Sequence, residues 1–420
     1  MKGEPGRPGA EGTGGGSLGA RMGRFFLSGN AFIVTFLAFV SALVIGAIII
    51  ILASPDAMAA WGRFSVAPGA AFARSWHVVA TAYSALFVGS IGSPRGIVQA
   101  IASGDGHRIS SAFYPLSETL VSTTPLMLSG LGIALAFRAG LFDIGGQGQL
   151  ILGALGATLA GFLVPGLPIY LHLPFAIILG AFFGAAWGFV PGILKARTGA
   201  HEVITSMMLN YVALNLLTYL LTTALFQAPP RYQPVSKAVA ETARLPHLAG
   251  PSLRVNLGIV LAAAAMVGVA WLLQRSTLGF KFRMLGANRE AARVAGVNIS
   301  RQYVLAMTLA GAIVGLAGTF MVLGVDYQVA AGYGGTIGFD GITVAILGRG
   351  NPYGVGMSAV LFGAFAAGGR TMQLAANIPL QLVQVLQAVL VLFVAAPGVI
   401  RTIFRIRVAG AGRVFGGWSG

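Results

Sequence analysis

Residues 144–194 read "IGGQGQLILGALGATLAGFLVPGLPIYLHLPFAIILGAFFGAAWGFVPGIL" and contain no Asp, Glu, Lys or Arg. One membrane crossing takes about 20 apolar residues, so the run is too long for a single helix. Pro165-Gly166-Leu167-Pro168 divides it, because each proline removes a backbone N–H and glycine favours a turn. The stretch therefore predicts two membrane helices joined by a short turn. Irregular backbone facing lipid would leave its polar groups unpaired, so helices are the economical choice.

The rest of the chain follows the same pattern. Over 420 residues, 56% are hydrophobic and 9% are charged, against about 25% charged in a soluble domain. Further charge-free windows run 25–55, 119–137, 203–230, 255–274, 302–325, 350–369 and 371–400. With the divided window they make nine spans. A shorter tenth is placed at 337–348, interrupted by Gly338 and Gly341. The predicted fold is an all-α integral membrane protein of about ten transmembrane helices, some short or broken.

Ten spans put both termini on one side. If that side is the cytoplasm, residues 1–30, Arg138, 195–202, 275–301, Arg349 and the tail beyond Pro397 hold 18 of the 27 Lys and Arg. The remaining nine fall mostly in two long loops, 54–117 and 227–256, where the positive-inside rule is weak. The formal charge of +16 is thus read as membrane topology, not as a nucleic-acid surface. Residues 1–24, rich in Gly, Pro and Arg, read as a disordered cytoplasmic leader. Residues 25–400 form the membrane domain, and 401–420 a basic cytoplasmic tail. The charge-free stretch 75–94, with its Ser, Thr and His, is expected to lie as an amphipathic helix on the outer surface.

One stretch departs from the apolar background. "GANREAARVAG", Gly286–Gly296, is charged and helix-prone, within a loop (275–301) holding six basic residues against Glu290 alone. Asn288 is placed to cap a short helix and Gly296 to end it. Ala287, Ala291, Ala292 and Ala295 recur at helical spacing, a flat face suited to docking.

These residues carry a resemblance. "EAARVAG" is similar to the start of the EAA loop of ABC-importer permeases, although the later Ile-x-Leu-Pro element of that motif is missing. "TPLMLSGLGIALAFRAGLFDIGGQGQLILGA" (Thr124–Ala154), "HEVITSMMLNYVALNLLTYLL" (His201–Leu221) and "GFDGITVAILGRGNPYGV" (338–355) resemble permeases of the branched-chain amino acid and simple-sugar class, nearest to nucleoside importers. The likeness covers about residues 78–400. It implies a type II-like importer permease of a bacterial inner membrane. It also implies a second related permease chain, different or identical, a separate ABC ATPase subunit that binds the ATP and Mg, and an extracytoplasmic binding lipoprotein. Gly286–Gly296 would then be the coupling helix seated in the ATPase. No cofactor is expected in this chain. A P-loop needs Lys after Gly, and Lys2, Lys195, Lys237 and Lys281 all follow other residues. Relatives usually read "FNIGAEGQ" where this chain reads "FDIGGQGQ", so the acid stands four residues earlier, at Asp143.

Polar groups inside spans are costly and tend to face a bundle interior or a cavity. Asn210, Thr205 and Ser206 on the fifth span, Ser122, Thr123 and Thr124 on the second, and Asp340 are candidates for the substrate path. Glu118 stands near its outer mouth. Asn210 is favoured, because an amide both donates and accepts. Each has a structural alternative in bonding to its own helix or to a neighbour. Gly180, Gly184 and Gly188 fall every four residues, and Gly311 and Gly315 repeat the spacing. Such faces let helices approach closely. Two other readings stand beside the importer. One is an ATPase-independent secondary transporter or channel for a small polar solute, which should carry ion-coupling charges inside its spans. The other is a membrane enzyme, for which the five His show no paired spacing. The chain has no Cys, which excludes disulfides and thiol chemistry.

Overall fold

The computed structural model describes residues 31–230, 233–396, 399 and 402–404. The expected leader, 1–24, and nearly all of the basic tail lie outside them. By contacts the chain divides into a unit of its two ends, up to Gly46 and from Ala388, and a main unit, Ala47–Gln387.

The elements are helical. They are α1 (Ala31–Ala53), α2 (Pro55–Trp61), α3 (Pro68–Ile91), α4 (Pro94–Ser103), α5 (Gly106–Arg138), α6 (Gly146–Leu163), α7 (Ile169–Thr198) and α8 (Glu202–Leu220). Then follow α9 (Gly258–Arg275), α10 (Thr277–Ala287), α11 (Arg289–Val294), α12 (Ile299–Met321), α13 (Ile337–Leu347), α14 (Pro352–Ala376) and α15 (Leu380–Ala395). Among the described residues, seven helices are long and apolar enough to cross a membrane: α1, α5 to α9, and α12 with its π-helical extension to Asp326. Residues 144–194 form α6 and α7, parted at Val164–Pro168 as the prolines require.

Three expectations are revised. The supposed outer loop 54–117 contains α2, α3, α4 and the start of α5. Ser54, Ser93 and Asp105 cap α2, α4 and α5, and Pro55, Pro68 and Pro94 start α2, α3 and α4. Proline at a first helical position gives up only an N–H that had no partner there. The stretch 75–94 does not lie apart on the surface. It belongs to the 24-residue α3, which packs along α14. Ala71, Ser75, Val78, Ala82, Ala85 and Gly89 are its buried face; small residues at this spacing let Leu86 and Gly89 sit against Gly368. The tenth span is a half-helix: α13 has 11 residues, about 16 Å at 1.5 Å per residue, half the hydrocarbon thickness of about 30 Å.

The two glycine stripes lie against each other. A methyl on Gly184 of α7 would lie 2.4 Å from the Gly311 carbonyl oxygen of α12, and one on Gly188 would lie 3.0 Å from Gly311 Cα. Gly153 of α6 meets Gly315 at 2.1 Å by the same measure, and Gly180 meets the Thr319 hydroxyl at 2.0 Å. Backbone touches backbone, so α6, α7 and α12 form one close-packed core. Of the membrane-length window in α6, 83% is buried, against 22% in α8. The face of α8 with Ile204, Met208, Tyr211 and Val212 is left open to lipid or a partner. His172 is buried in α7, with Nδ1 2.7 Å from Thr242 Oγ1 and Nε2 3.0 Å from the Ala160 carbonyl. Among the described residues no group of His, Asp and Glu could hold a metal ion.

Candidate functional site

Two helices begin at one level and run in opposite directions. α5 and α12 are antiparallel: Gly132 faces Ala310 and Val314, and further along Thr124 and Gly324 both reach the Asn256–Gly258 turn. Gly146 starts α6 beside Ile133 and Gly338. From there α6 advances along α12, Leu150 meeting Gly318. α13 instead follows α5, with Gly341 against Ser129 and Val344 against Gly130. Arg138 Nε then donates to the Gly350 carbonyl at 2.9 Å. Gln147 joins the two N-termini: its Oε1 accepts from Gly338 N at 3.0 Å, and its Nε2 donates to the Tyr333 carbonyl at 3.3 Å. Two positive helix ends converge inside the bundle, a construction that membrane transporters use to hold polar solutes.

The turn into α6 is held from α8. Asn210 Nδ2 donates to the Ile144 carbonyl at 2.9 Å, and Asn210 Oδ1 accepts from Gly148 N at 2.8 Å. Ser206 Oγ accepts from Ile144 N at 3.3 Å. Asp143, fully buried, accepts from Gly145 N and from Gln149 Nε2, both at 2.8 Å. The shifted acid is thus a brace inside the turn, and Gln147, at the usual carboxylate position, is the bridge to α13.

A cavity opens on each side of this junction. One, of about 310 Å³, is bordered by Gln147, Asn210, Tyr211, Tyr333 and Phe339. The other, of about 240 Å³, lies between α5, α13, α14 and α15 and is bordered by Ser122, Asp340, Arg370 and Gln384.

The candidates for the path therefore divide. Asn210 borders a cavity, but both ends of its amide are engaged by backbone. Ser206 is engaged likewise. Thr205, Thr123 and Thr124 donate to carbonyls of their own helices, and Thr123 is fully buried against Gly363. Asp340 and Ser122 face a cavity. Glu118 pairs with Arg254 at 3.1 Å and Arg370 at 3.2 Å. Sequence reasoning missed Arg370, Gln384 and Gln387. Arg370 carries a signal, as the one charged residue between 350 and 400; by position in the sequence it divides two charge-free windows, but it lies inside α14.

The Gly286–Gly296 segment forms a small knob. Asn288 Oδ1 accepts from Glu290 N at 2.9 Å and Ala291 N at 3.0 Å, capping α11, and Gly296 follows it with φ +78°. Ala287, Glu290, Ala291 and Ala295 are exposed, but Ala292 is fully buried. The alanines are thus split between an outer and an inner face, because a six-residue helix must spend one side on holding itself down. Gly286 is exposed and also packs inward: a methyl there would lie 2.4 Å from the Arg138 carbonyl oxygen, and Gly286 touches Gly140.

A bundle of membrane-length helices around a polar break is an architecture suited to a membrane permease. The chain belongs to the family of permease components of branched-chain amino acid transport systems, whose model matches residues 116–395. It is 36% identical over 328 residues to the guanosine ABC transporter permease protein NupP of Bacillus subtilis (strain 168), covering 78% of this chain and 88% of that one. To the nucleoside ABC transporter permease protein NupB of Lactococcus lactis subsp. cremoris it is 33% identical, covering 76% and 84%. To the glucose ABC transporter permease protein TsgB13 of Haloferax volcanii it is 34% identical, covering 67% and 76%. No solved structure matches. The protein is a multi-pass ABC transporter permease of the plasma membrane.

Proposed function

We propose that this chain is the permease half of an ATP-driven importer of nucleosides or simple sugars. Both termini and the α10–α11 knob face the cytoplasm. A separate ABC ATPase, which binds the ATP and Mg, seats the exposed face of α11. A second related permease packs beside this one, and an extracytoplasmic binding protein delivers the solute. The importer relatives for guanosine, nucleosides and glucose support the substrate class. Similarity to NupC of Lactococcus lactis and NupQ of Bacillus subtilis, whose names mark them as permeases of the same substrates as NupB and NupP, supports a pair of unlike permeases.

One observation carries the coupling: the knob stands on the turn that leads to the helix break. Gly286 rests on Arg138 and Gly140, three residues before Asp143. Arg138 also holds the end of α13 through Gly350. A push on α11 passes through this backbone contact to the starting point of α6 and the end of α13 together, which opens or closes the break between them.

The test is co-purification in mild detergent, followed by ATPase assay with guanosine and glucose. The expected result is a bound ATPase subunit whose turnover rises with one solute and the binding protein. Recovery of the chain without an ATPase, together with solute uptake by the chain alone, overturns the reading. Since the chain has no Cys, Ala291→Cys reports the side of the knob: it should label with an impermeant maleimide in inside-out vesicles and not in spheroplasts.

A further inference from the structure

The cavity between α5, α13, α14 and α15 holds about 240 Å³, below the roughly 300–1,000 Å³ of drug-sized pockets. It suits a small solute. Phe362 and Phe365 form apolar wall, and Ser122, Asp340, Arg370, Gln384 and Gln387 supply polar groups. Thr336 Oγ1 donates to Asp340 Oδ2 at 2.9 Å. Among the described residues Asp340 Oδ1 has no hydrogen-bond donor and the carboxylate has no ion-pair partner. The Arg370 charge is answered elsewhere, by Glu118 at 3.2 Å. Asp340 is half-buried, and a carboxylate on a membrane helix without its own cation is costly to keep and marks a functional group. The N-terminus of α13 lowers that cost without using up the free oxygen.

We propose that this cavity is a substrate subsite within the permease, taking a neutral solute with a vicinal diol, first of all a ribonucleoside. The inference rests on the importer reading above. A carboxylate has about four acceptor positions, enough to keep Thr336 and receive both ribose hydroxyls. The amides of Gln384 and Gln387 donate and accept along the base or ring edge, and the two Phe cover its apolar face.

Ser122→Cys places one thiol on this wall in a chain that otherwise has none. In proteoliposomes of the complete transporter, guanosine at saturating concentration should slow maleimide labelling of that thiol severalfold, in proportion to the fraction of sites occupied. 2′,3′-Dideoxyguanosine should not protect, and adding Asp340→Asn should remove the protection by guanosine. At saturating binding protein, Asp340→Asn should lower guanosine uptake by about tenfold, and Asp340→Glu should recover part of it. Thermal unfolding of each variant separates this outcome from loss of fold. A transporter that imports guanosine with the thiol unprotected, or equal protection by the dideoxy compound, overturns the subsite alone. A wild-type complex that imports neither guanosine nor glucose overturns the importer reading and the subsite with it.

Discussion

At the scale of the residue, the same amino acid does different work according to what its neighbours leave unpaired. Asn210 was expected to meet solute, yet the Ile144 carbonyl and the Gly148 N–H occupy its amide. Asn210→Ala should strand both and cost about 1–3 kcal/mol for each buried group. Uptake should fall in proportion to folded protein while the apparent KM stays fixed; a raised KM at normal yield would show that Asn210 touches solute after all. Gly184 is the opposite case, legible from spacing alone. Gly184→Leu drives a side chain into the Gly311 carbonyl and should cost about 3 kcal/mol or more. Detergent-solubilised yield and thermal midpoint measure it, and a normal value for both would refute the close approach. Spacing reveals such a stripe because small residues must recur on one helix face. The acceptor and the donor that engage Asn210 come from a turn more than 60 positions away, which no local pattern discloses.

At the scale of the element, α11 separates surface from support. Glu290→Lys and Ala291→Trp alter the exposed face and should abolish ATPase attachment, with insertion and thermal midpoint unchanged. Ala292→Trp alters the buried face and should lower the midpoint as well. If all three variants lose stability alike, α11 is structural and not a docking knob. The cap belongs to the same element: Asn288→Ala removes the acceptor for two N–H groups and should destabilise the knob by about 1 kcal/mol, read as faster hydrogen exchange over 289–295. Cap, stop and exposed alanines could be read from eleven letters. Which alanine turns inward could not, because that depends on where α10 and α12 hold the helix. The course of α3 was misread for a related reason. Its Ser, Thr and His lower the mean hydropathy, but the partner face on α14 accepts small residues, so polarity by itself mistakes a packed helix for a surface one.

At the scale of the whole molecule, long-range ties join elements that sequence order keeps apart. Glu118 on α5 holds Arg254, ahead of α9, and Arg370, on α14. Glu118 is nearly buried, while the two guanidinium groups are 41% and 60% exposed. Removing either Arg leaves Glu118 one partner; removing Glu118 frees both tethers. Glu118→Gln should therefore cost more than Arg254→Ala or Arg370→Ala, between the ~1 kcal/mol of an exposed pair and the roughly 3–5 kcal/mol of a buried one. Thermal unfolding of the three variants and one double variant tests the order. Equal small losses would mean that solvent already screens the network.

The order of letters alone determined that the chain lives in lipid, where the prolines part its spans, which glycine faces let helices touch, and that a capped helix interrupts them at 286–296. Each follows from local rules: hydrocarbon demands apolar runs, proline lacks a donor, and close contact demands small side chains at helical spacing. Only the tertiary structure decided that α6 and α13 start at a common point, that Gln147 ties them, that Asn210 and Asp143 serve the turn, and that Asp340 is left facing a cavity. Pairing of polar groups is settled across distant segments, because burial makes each donor seek whichever acceptor the packing of other helices brings within 3 Å or so.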